Sequence, residues 1–284
     1  MQDEISLVDE TLNIHAKENY HLSIQVSPDG FSFTILNDIN NKYILLKHFP
    51  VDPNLPKVVA YEKIEEFLNK EELLNQAPYK SVRCIYQSKK SLNIPADYFT
   101  EEDIRTYYES VFELEQLEEL HYNSLSEPDM IAVFSIPNQI SNLLVKKFNN
   151  IQFFHHTAPL MQRVHNEHIE GEEVMALFIA PWFFNMMVIK NNQLLVENVY
   201  DYKDAMDIIY FCMNAVNQYE LNPVQMKLLM QGDIKIPGNV TSTFEKYIKH
   251  IDFIKRPSTH LYSYTFYRLP NYQFANLLSL PDFK

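Results

Sequence analysis

The sequence predicts an α/β protein of two similar lobes, each a mixed sheet flanked by helices. Three observations lead there. One order of elements (a hairpin, a third strand, a helix, a further strand) reads twice along the chain. Pro181 follows Pro28 by 153 residues, each in the first turn of its copy, and the later turns keep step. Only 4 glycines stand against 19 Phe and 18 Tyr, so turns are expected from Asn, Asp and Pro around well-filled cores. At 284 residues and 46% hydrophobic, the chain is long enough for two such cores. The competing reading is one continuous mixed-sheet domain.

In the first copy, Tyr20 to Val26 alternates and is β-rich, Ser27-Pro28-Asp29-Gly30 turns, and Phe31 to Leu36 completes a hairpin. Asn37 to Asn41 turns again into a third strand, Tyr43 to Phe49. After Pro50, Pro53 and Pro56, the run Tyr61 to Leu74 carries Ile64, Phe67, Leu68 and Leu73 on one helical face. Ser81 to Tyr86 is the fourth strand. Added material follows: an acidic helix over Glu101 to Leu120, a strand Met130 to Ile136, a helix Pro137 to Phe148 opened by its proline, and a strand Ile151 to His155.

The second copy starts at Val174 to Ile179, turns through Ala180-Pro181-Trp182-Phe183 and returns over Phe184 to Ile189. Leu194 to Val199 is its third strand, Asp204 to Tyr219 its helix and Met226 to Met230 its fourth strand. A helix Asn239 to Lys249 and a strand Ile251 to Ile254 come next. An alternating tyrosine stretch, Tyr262 to Tyr267, reads as a half-buried strand before a helix Asn271 to Leu280. The polar stretch His165 to Glu172 divides the copies, giving lobes 1–168 and 169–284.

Charge narrows the partners. Lys and Arg number 24 against 37 Asp and Glu, a net charge of -13, and lysines cluster only as the pairs Lys89-Lys90 and Lys146-Lys147. Such a field repels nucleic acid. Cys84 and Cys212 fall in apolar runs, where they fill cores, and this favours a reducing compartment. The start Met1-Gln2-Asp3-Glu4 lacks the features of a secretion signal. The longest apolar run, Val174 to Ile189, is broken by Pro181 and Asn185 and is too short to span a bilayer. A cytoplasmic protein without a transmembrane segment is expected.

A three-stranded antiparallel start crossing by a helix into a parallel strand, given twice, resembles the duplicated ribonuclease-H-like core of the actin and sugar-kinase superfamily, the actin-like ATPase fold. The whole chain also resembles a family of Bacteroidetes proteins, domain of unknown function 3822, placed in that superfamily. The likeness rests on the hairpin Ser23 to Leu36, the run Ala132-Val133-Phe134-Ser135-Ile136-Pro137, the triplet His155-His156-Thr157, and Leu269-Pro270-Asn271. It implies two lobes with five-stranded-type mixed sheets and an interlobe nucleotide cleft, and it implies no function.

The superfamily pattern is then compared position by position. Its first phosphate loop reads Asp-x-Gly; here Gln25 takes the Asp place and Ser27 the Gly place. Gln hydrogen-bonds but cannot neutralise magnesium, and Pro28 removes a backbone donor. In the second loop Phe178 and Ala180 stand at those places, with Pro181 and Trp182 crowding the turn. The adenosine motif ends in paired glycines; this chain has Gln231-Gly232-Asp233. Phosphoryl transfer needs positioned charges and backbone donors, so ATPase activity is disfavoured. Gln25, Ser27, Gly232 and Asp233 mark a degenerate nucleotide cleft at most.

Other chemistry finds little footing. His155-His156 and His165-x-x-His168 read as polar residues at the lobe boundary, because adjacent histidines in a strand face opposite ways. No Gly-x-Ser-x-Gly elbow, Walker loop or dinucleotide fingerprint occurs. No catalytic residue and no metal ligand is assigned. Trp182, Phe183, Tyr262, Tyr264 and Tyr267 are the candidate protein-binding residues, on the expectation that they share an apolar interlobe groove. The expected role is a non-catalytic protein-binding or scaffold module without a cofactor. The alternatives are a switch or weak ATPase that takes ATP with magnesium, and a structural homodimer.

Overall fold

A computed structural model describes residues 4–27, 29–75, 78–167, 170–234, 238 and 240–283. Strand β1 (Ile5–Val8) precedes the first copy, which runs β2 (Tyr20–Ser27), β3 (Gly30–Asn37), β4 (Lys42–Pro50), α1 (Lys57–Lys70) and β5 (Ser81–Tyr86). The added segment supplies β6 (Ser91–Pro95), α2 (Ile104–Glu109), β7 (Glu118–Leu125), β8 (Met130–Pro137), α3 (Asn138–Lys147) and β9 (Ile151–His155). Helix α4 (Thr157–Glu167) leads to the second copy: β10 (Val174–Ala180), β11 (Phe183–Lys190), β12 (Gln193–Asp201), α5 (Ala205–Gln218) and β13 (Lys227–Gly232). The chain closes with α6 (Val240–Phe244), β14 (His250–Phe253), β15 (Leu261–Tyr262) and α7 (Ala275–Ser279).

Three sheets result. The first has order β1-β4-β3-β2-β5-β9 with β15 paired to β4, the second β12-β11-β10-β13-β14, and the third β6-β8-β7. Each copy forms an antiparallel meander whose first strand then pairs in parallel with the strand after its helix. Both meanders carry a register shift between their second and third strands, at Ile35/Leu36 and at Val188/Ile189. Val188 follows Ile35 by 153 residues, the spacing of the turn prolines. An irregularity of this kind bends its strand and raises the local twist, so the two meanders bend at matching places. Helix α5 starts where Asp204 caps it, its carboxylate accepting the N–H groups of Met206 (2.7 Å) and Asp207.

Among the described residues five cores hold the sheets; two small ones lie around Tyr43 and Phe266 on the first sheet and around Tyr108 and Val133 on the third, and three are larger. One lies between the first sheet, α1 and α3, around Phe33, Ile64 and Leu144. A second lies between the second sheet, α5 and α6, around Phe184, Cys212 and Phe244. The third joins the lobes: Ile85, Ala132 and Phe154 meet Ala176, Phe178 and Met187, with Leu280 and Phe283 among them. Cys84 and Cys212 are free and buried.

The helices expected over 239–249 and 271–280 shorten to α6 and α7, and two further segments differ in kind. Over 101–120 the long acidic helix is replaced by a 3-10 turn, the short α2 and the start of β7. Ser110 Oγ donates to the Tyr107 carbonyl (2.6 Å) and Phe112 folds onto Tyr108, which ends the helix. Carrying Glu113, Glu115, Glu118 and Glu119 into its last turns would oppose the helix dipole. Instead Glu118 takes Lys90 (3.1 Å) and Ser135 (3.1 Å), and β7 pairs with β8. The tyrosine stretch forms only the two residues of β15 before a 3-10 helix, Tyr264–Arg268, begun by Ser263 accepting Thr265 N–H. Moreover β15 joins the first sheet, Tyr262 lying opposite Tyr43. Residues 261–269 therefore return to the lobe formed by the start of the chain, while Tyr272 stacks on Phe253 of the second lobe.

Candidate functional site

The two hairpin turns, Ser27–Gly30 and Ala180–Phe183, meet where the lobes face each other. In the first turn Ser27 Oγ–H is taken by Asp29 Oδ1 (2.6 Å) and the Gly30 carbonyl (3.1 Å). Pro28 lies outside the described residues. The second turn is fixed by Tyr202, whose N–H donates to the Trp182 carbonyl (2.9 Å) and whose hydroxyl donates to the Ala180 carbonyl (2.7 Å). Trp182 holds a left-handed φ of 68°. Its side chain is 41% exposed, whereas Phe183 is buried.

Between the turns lies a cavity of about 90 Å³ lined by Gln25, Asp29, Gln231, Gly232, Asp233 and, among others, Phe178. The structure thus gathers Gln25, Gly232 and Asp233, as the sequence expects of a cleft, while Ser27 lines a different cavity. Gly232 has a packing reason of its own. A Cβ there would stand 2.2 Å from the Ile179 carbonyl oxygen, at a φ of +92°, and Asp233 N–H donates to that same oxygen (2.7 Å). Helix α7 closes the cavity through Asn276, whose amide donates to the His156 carbonyl (2.8 Å).

Magnesium-bound ATP does not fit this site. Ligand pockets run to roughly 300–1,000 Å³, several times the about 90 Å³ present. Among the described residues the lining holds two carboxylates and no Lys or Arg, the wrong sign for triphosphate. His48 is no substitute cation, because burial pushes its imidazole pKa down. Phe178 stands in the wall with its ring 4.7 Å from that of His156.

A second cavity, about 290 Å³, opens on the far side of the turns between Trp182, Phe183, Tyr61 and Tyr86. Its lysines are taken up, Lys57 by Glu115 (3.8 Å), Lys89 by Asp201 (2.8 Å) and Lys90 by Glu115 and Glu118. The tyrosines of the C-terminal stretch do not line it. Tyr262 is half-buried, stacked on Tyr43 with ring centroids 5.3 Å apart. Tyr264 and Tyr267 are exposed on the 3-10 helix, 60% and 77% respectively. The expected single aromatic groove is therefore two separate features, because β15 carries its tyrosines to the first sheet.

Sequence reading missed a hydrogen-bonded chain across the lobe junction. His155 ends β9, so His156 lies beyond the strand and the two rings approach to 4.3 Å rather than facing opposite ways. His156 Nε2–H donates to Asn185 Oδ1 (2.8 Å), and Asn185 Nδ2 donates to Glu197 Oε1 (2.8 Å). Glu197 Oε2 accepts from Asn93 Nδ2 of the third sheet (2.9 Å). Burial pushes the Glu197 carboxyl up to about 7, against the two amide donors, and pushes His156 down to about 4. His155 is held neutral the same way, accepting from Thr157 Oγ1 (2.7 Å) and donating to the Ser88 carbonyl (3.1 Å). The only sequence signal was a lone Glu in an apolar strand, Val196-Glu197, beside Asn185 in another. Among the described residues no group of His, Cys, Asp or Glu is placed to hold a metal, and His168 lies outside them. No helix among them is long and apolar enough to cross a membrane.

No curated protein is similar to the chain. Among solved structures, one from Bacteroides thetaiotaomicron, described as having an actin-like ATPase fold and unknown function, superposes with a TM-score of 0.78 at 22% identity, over 86% of this chain and 93% of that one. A chain of the PilM-PilN type IV pilus biogenesis complex superposes with a TM-score of 0.60 at 10% identity, over 93% and 98% of the two chains. These likenesses establish the actin-like fold. The duplicated meander, the interlobe turns and a family profile matching residues 9–251 agree: the chain belongs to the protein family of unknown function DUF3822.

Proposed function

We propose that this protein is an actin-like module that has given up nucleotide hydrolysis and works by binding another protein. The observation that carries this is the cavity at the phosphate turns: about 90 Å³, edged by Asp29, Asp233 and Phe178, and closed by α7. A fold of this kind without its nucleotide is left with its surfaces as the means of action. A chain of similar fold stands in the PilM-PilN complex, which supports that direction. Buried free Cys84 and Cys212 suit the reducing cytoplasm, where we place it. We take the chain as two lobes dividing near 168/169, with the C-terminal segment tying them together. The test is calorimetric titration of the folded protein with magnesium and ATP, and with a non-hydrolysable analogue. No heat of binding is expected; saturable binding near micromolar would overturn the reading and restore the switch.

A further inference from the structure

A large cavity, about 1020 Å³, shares no lining residue with the cavity at the phosphate turns. It opens beside β14 and is walled by α4 and by the crossing from β14 to β15. Its charge is opposite to that of the protein. Among the described residues five Lys and Arg line it (Arg163, Lys227, Lys249, Lys255 and Arg256) against Glu172 and Asp252, in a chain carrying 24 bases against 37 acids. Glu172 is held by Lys227 (2.5 Å) and Asp252 by Lys255 (3.4 Å). Among the described residues neither Lys249 nor Arg256 pairs with a carboxylate. Arg256 instead donates to the Phe266 carbonyl (3.2 Å) and lies over the Tyr262 ring, with exposed Tyr267 at 5.9 Å. In an acidic protein, cations gathered on one wall focus a positive field that draws anionic partners.

The backbone adds a second feature. Strand β14 ends its sheet, paired in parallel to β13 alone. Ile254 N–H donates inward to the Met230 carbonyl, so by strand alternation Phe253 N–H points outward. That outward N–H is met only by the adjoining Asp252 carboxylate (2.8 Å). The free edge, the volume and the spread of the cations suit an extended chain better than one compact anion. Small-ligand pockets end near 1,000 Å³ and converge on a few polar groups.

We infer that this groove takes an acidic, extended peptide segment of a partner protein, which adds to the edge of β14 and sets its carboxylates against Lys249, Lys255 and Arg256. This rests on the protein-binding reading above and names its surface and the chemistry of its partner. Main-chain pairing supplies affinity, while the cations select acidic side chains and set the association rate and its salt dependence.

The test uses fluorescence anisotropy with the intact protein and a labelled peptide of alternating Glu and Val, with a Lys and Val peptide of equal length as control. The acidic peptide is expected to saturate, to weaken as salt is raised, and to lose about tenfold or more in affinity in the variant Lys249→Glu/Lys255→Glu. Both lysines are exposed, so the variant is expected to keep its fold, checked by its thermal melt. Failure of the acidic peptide to saturate overturns the inference, as does equal binding by the variant or by the basic peptide. Saturable calorimetric binding of inorganic pyrophosphate, lost in the same variant, with no binding of the acidic peptide, would overturn it in favour of a small anion. Any of these results leaves the ATP titration untouched, so the failure of this surface is separable from failure of the non-nucleotide reading.

Discussion

Exchanging Glu197 for Gln removes a charge that the fold holds at a cost. The carboxyl titrates near 4.5 when the chain is unfolded and at about 7 at the lobe junction. Between those values the folded chain binds a proton that the unfolded chain does not, so stability falls as pH rises through the window. Above the folded pKa the whole cost is present, about 3 kcal/mol at roughly 1.4 kcal/mol for each pH unit of displacement. Glu197→Gln does not titrate, and its amide can still meet both neighbours. Its oxygen accepts from Asn185, and once the Asn93 amide turns over, bringing the now unpartnered Oδ1 to where Nδ2 stands, its N–H donates to Asn93 Oδ1. The variant should therefore gain on the wild type steadily from about pH 4.5 to above about pH 7. The gain approaches about 3 kcal/mol, or about 5 °C in melting temperature for a chain of this length. His156 works the other way: held at about 4, it contributes stability above its unfolded value of 6.5 that is lost on acidification. It is present in both proteins and cancels in the difference. Thermal melts by circular dichroism across this pH range give that difference directly. Parallel curves, or a variant less stable than wild type near pH 8, would refute the argument.

Two further outcomes follow from single contacts. Gly232→Ala places a methyl 2.2 Å from the Ile179 carbonyl at a left-handed φ, and should cost about 2–4 kcal/mol in denaturant unfolding without any nucleotide present; an unchanged midpoint would return this glycine to a ligand-contacting role. Arg83 Nη1 donates to the carbonyls of Leu280 (2.8 Å), Pro281 (3.2 Å) and Phe283 (2.8 Å). Arg83→Met should cost about 2–3 kcal/mol and speed carboxypeptidase trimming of the last residues, and unaltered trimming would show that the clamp is not what holds them.

Periodicity and turn chemistry made the duplicated sheets legible, because hairpins, amphipathic helices and their caps are local matters. The bulges at Ile35/Leu36 and Val188/Ile189 carry the copy spacing into the backbone itself. What failed was non-local. Glu113 to Glu119 looked helical by composition, but Lys90 and Ser135, distant in sequence, draw Glu118 into a strand. The alternation Tyr262-x-Tyr264 promised a longer strand, and one serine hydroxyl at Ser263 starts a 3-10 turn instead. At the site, the lost Asp and Gly of the phosphate turns were visible as wrong residue types. The chain His156–Asn185–Glu197–Asn93 was not, since it joins four elements that only the assembled lobes bring together.

The outer edge of β4 is shared end to end by the first and the last strands. β1 takes residues 45–48 and β15 takes residues 42–43, while the Tyr43 hydroxyl donates to the Leu278 carbonyl (2.5 Å). A ribosome makes β4 long before it makes β15. The lobe translated first cannot finish its own sheet until residues 261–278 have emerged, so it waits through the synthesis of the other lobe with Tyr43 uncovered. Loss of the last two dozen residues would accordingly injure the beginning of the molecule, and a nascent chain stalled after the second lobe would be the form most in need of a chaperone.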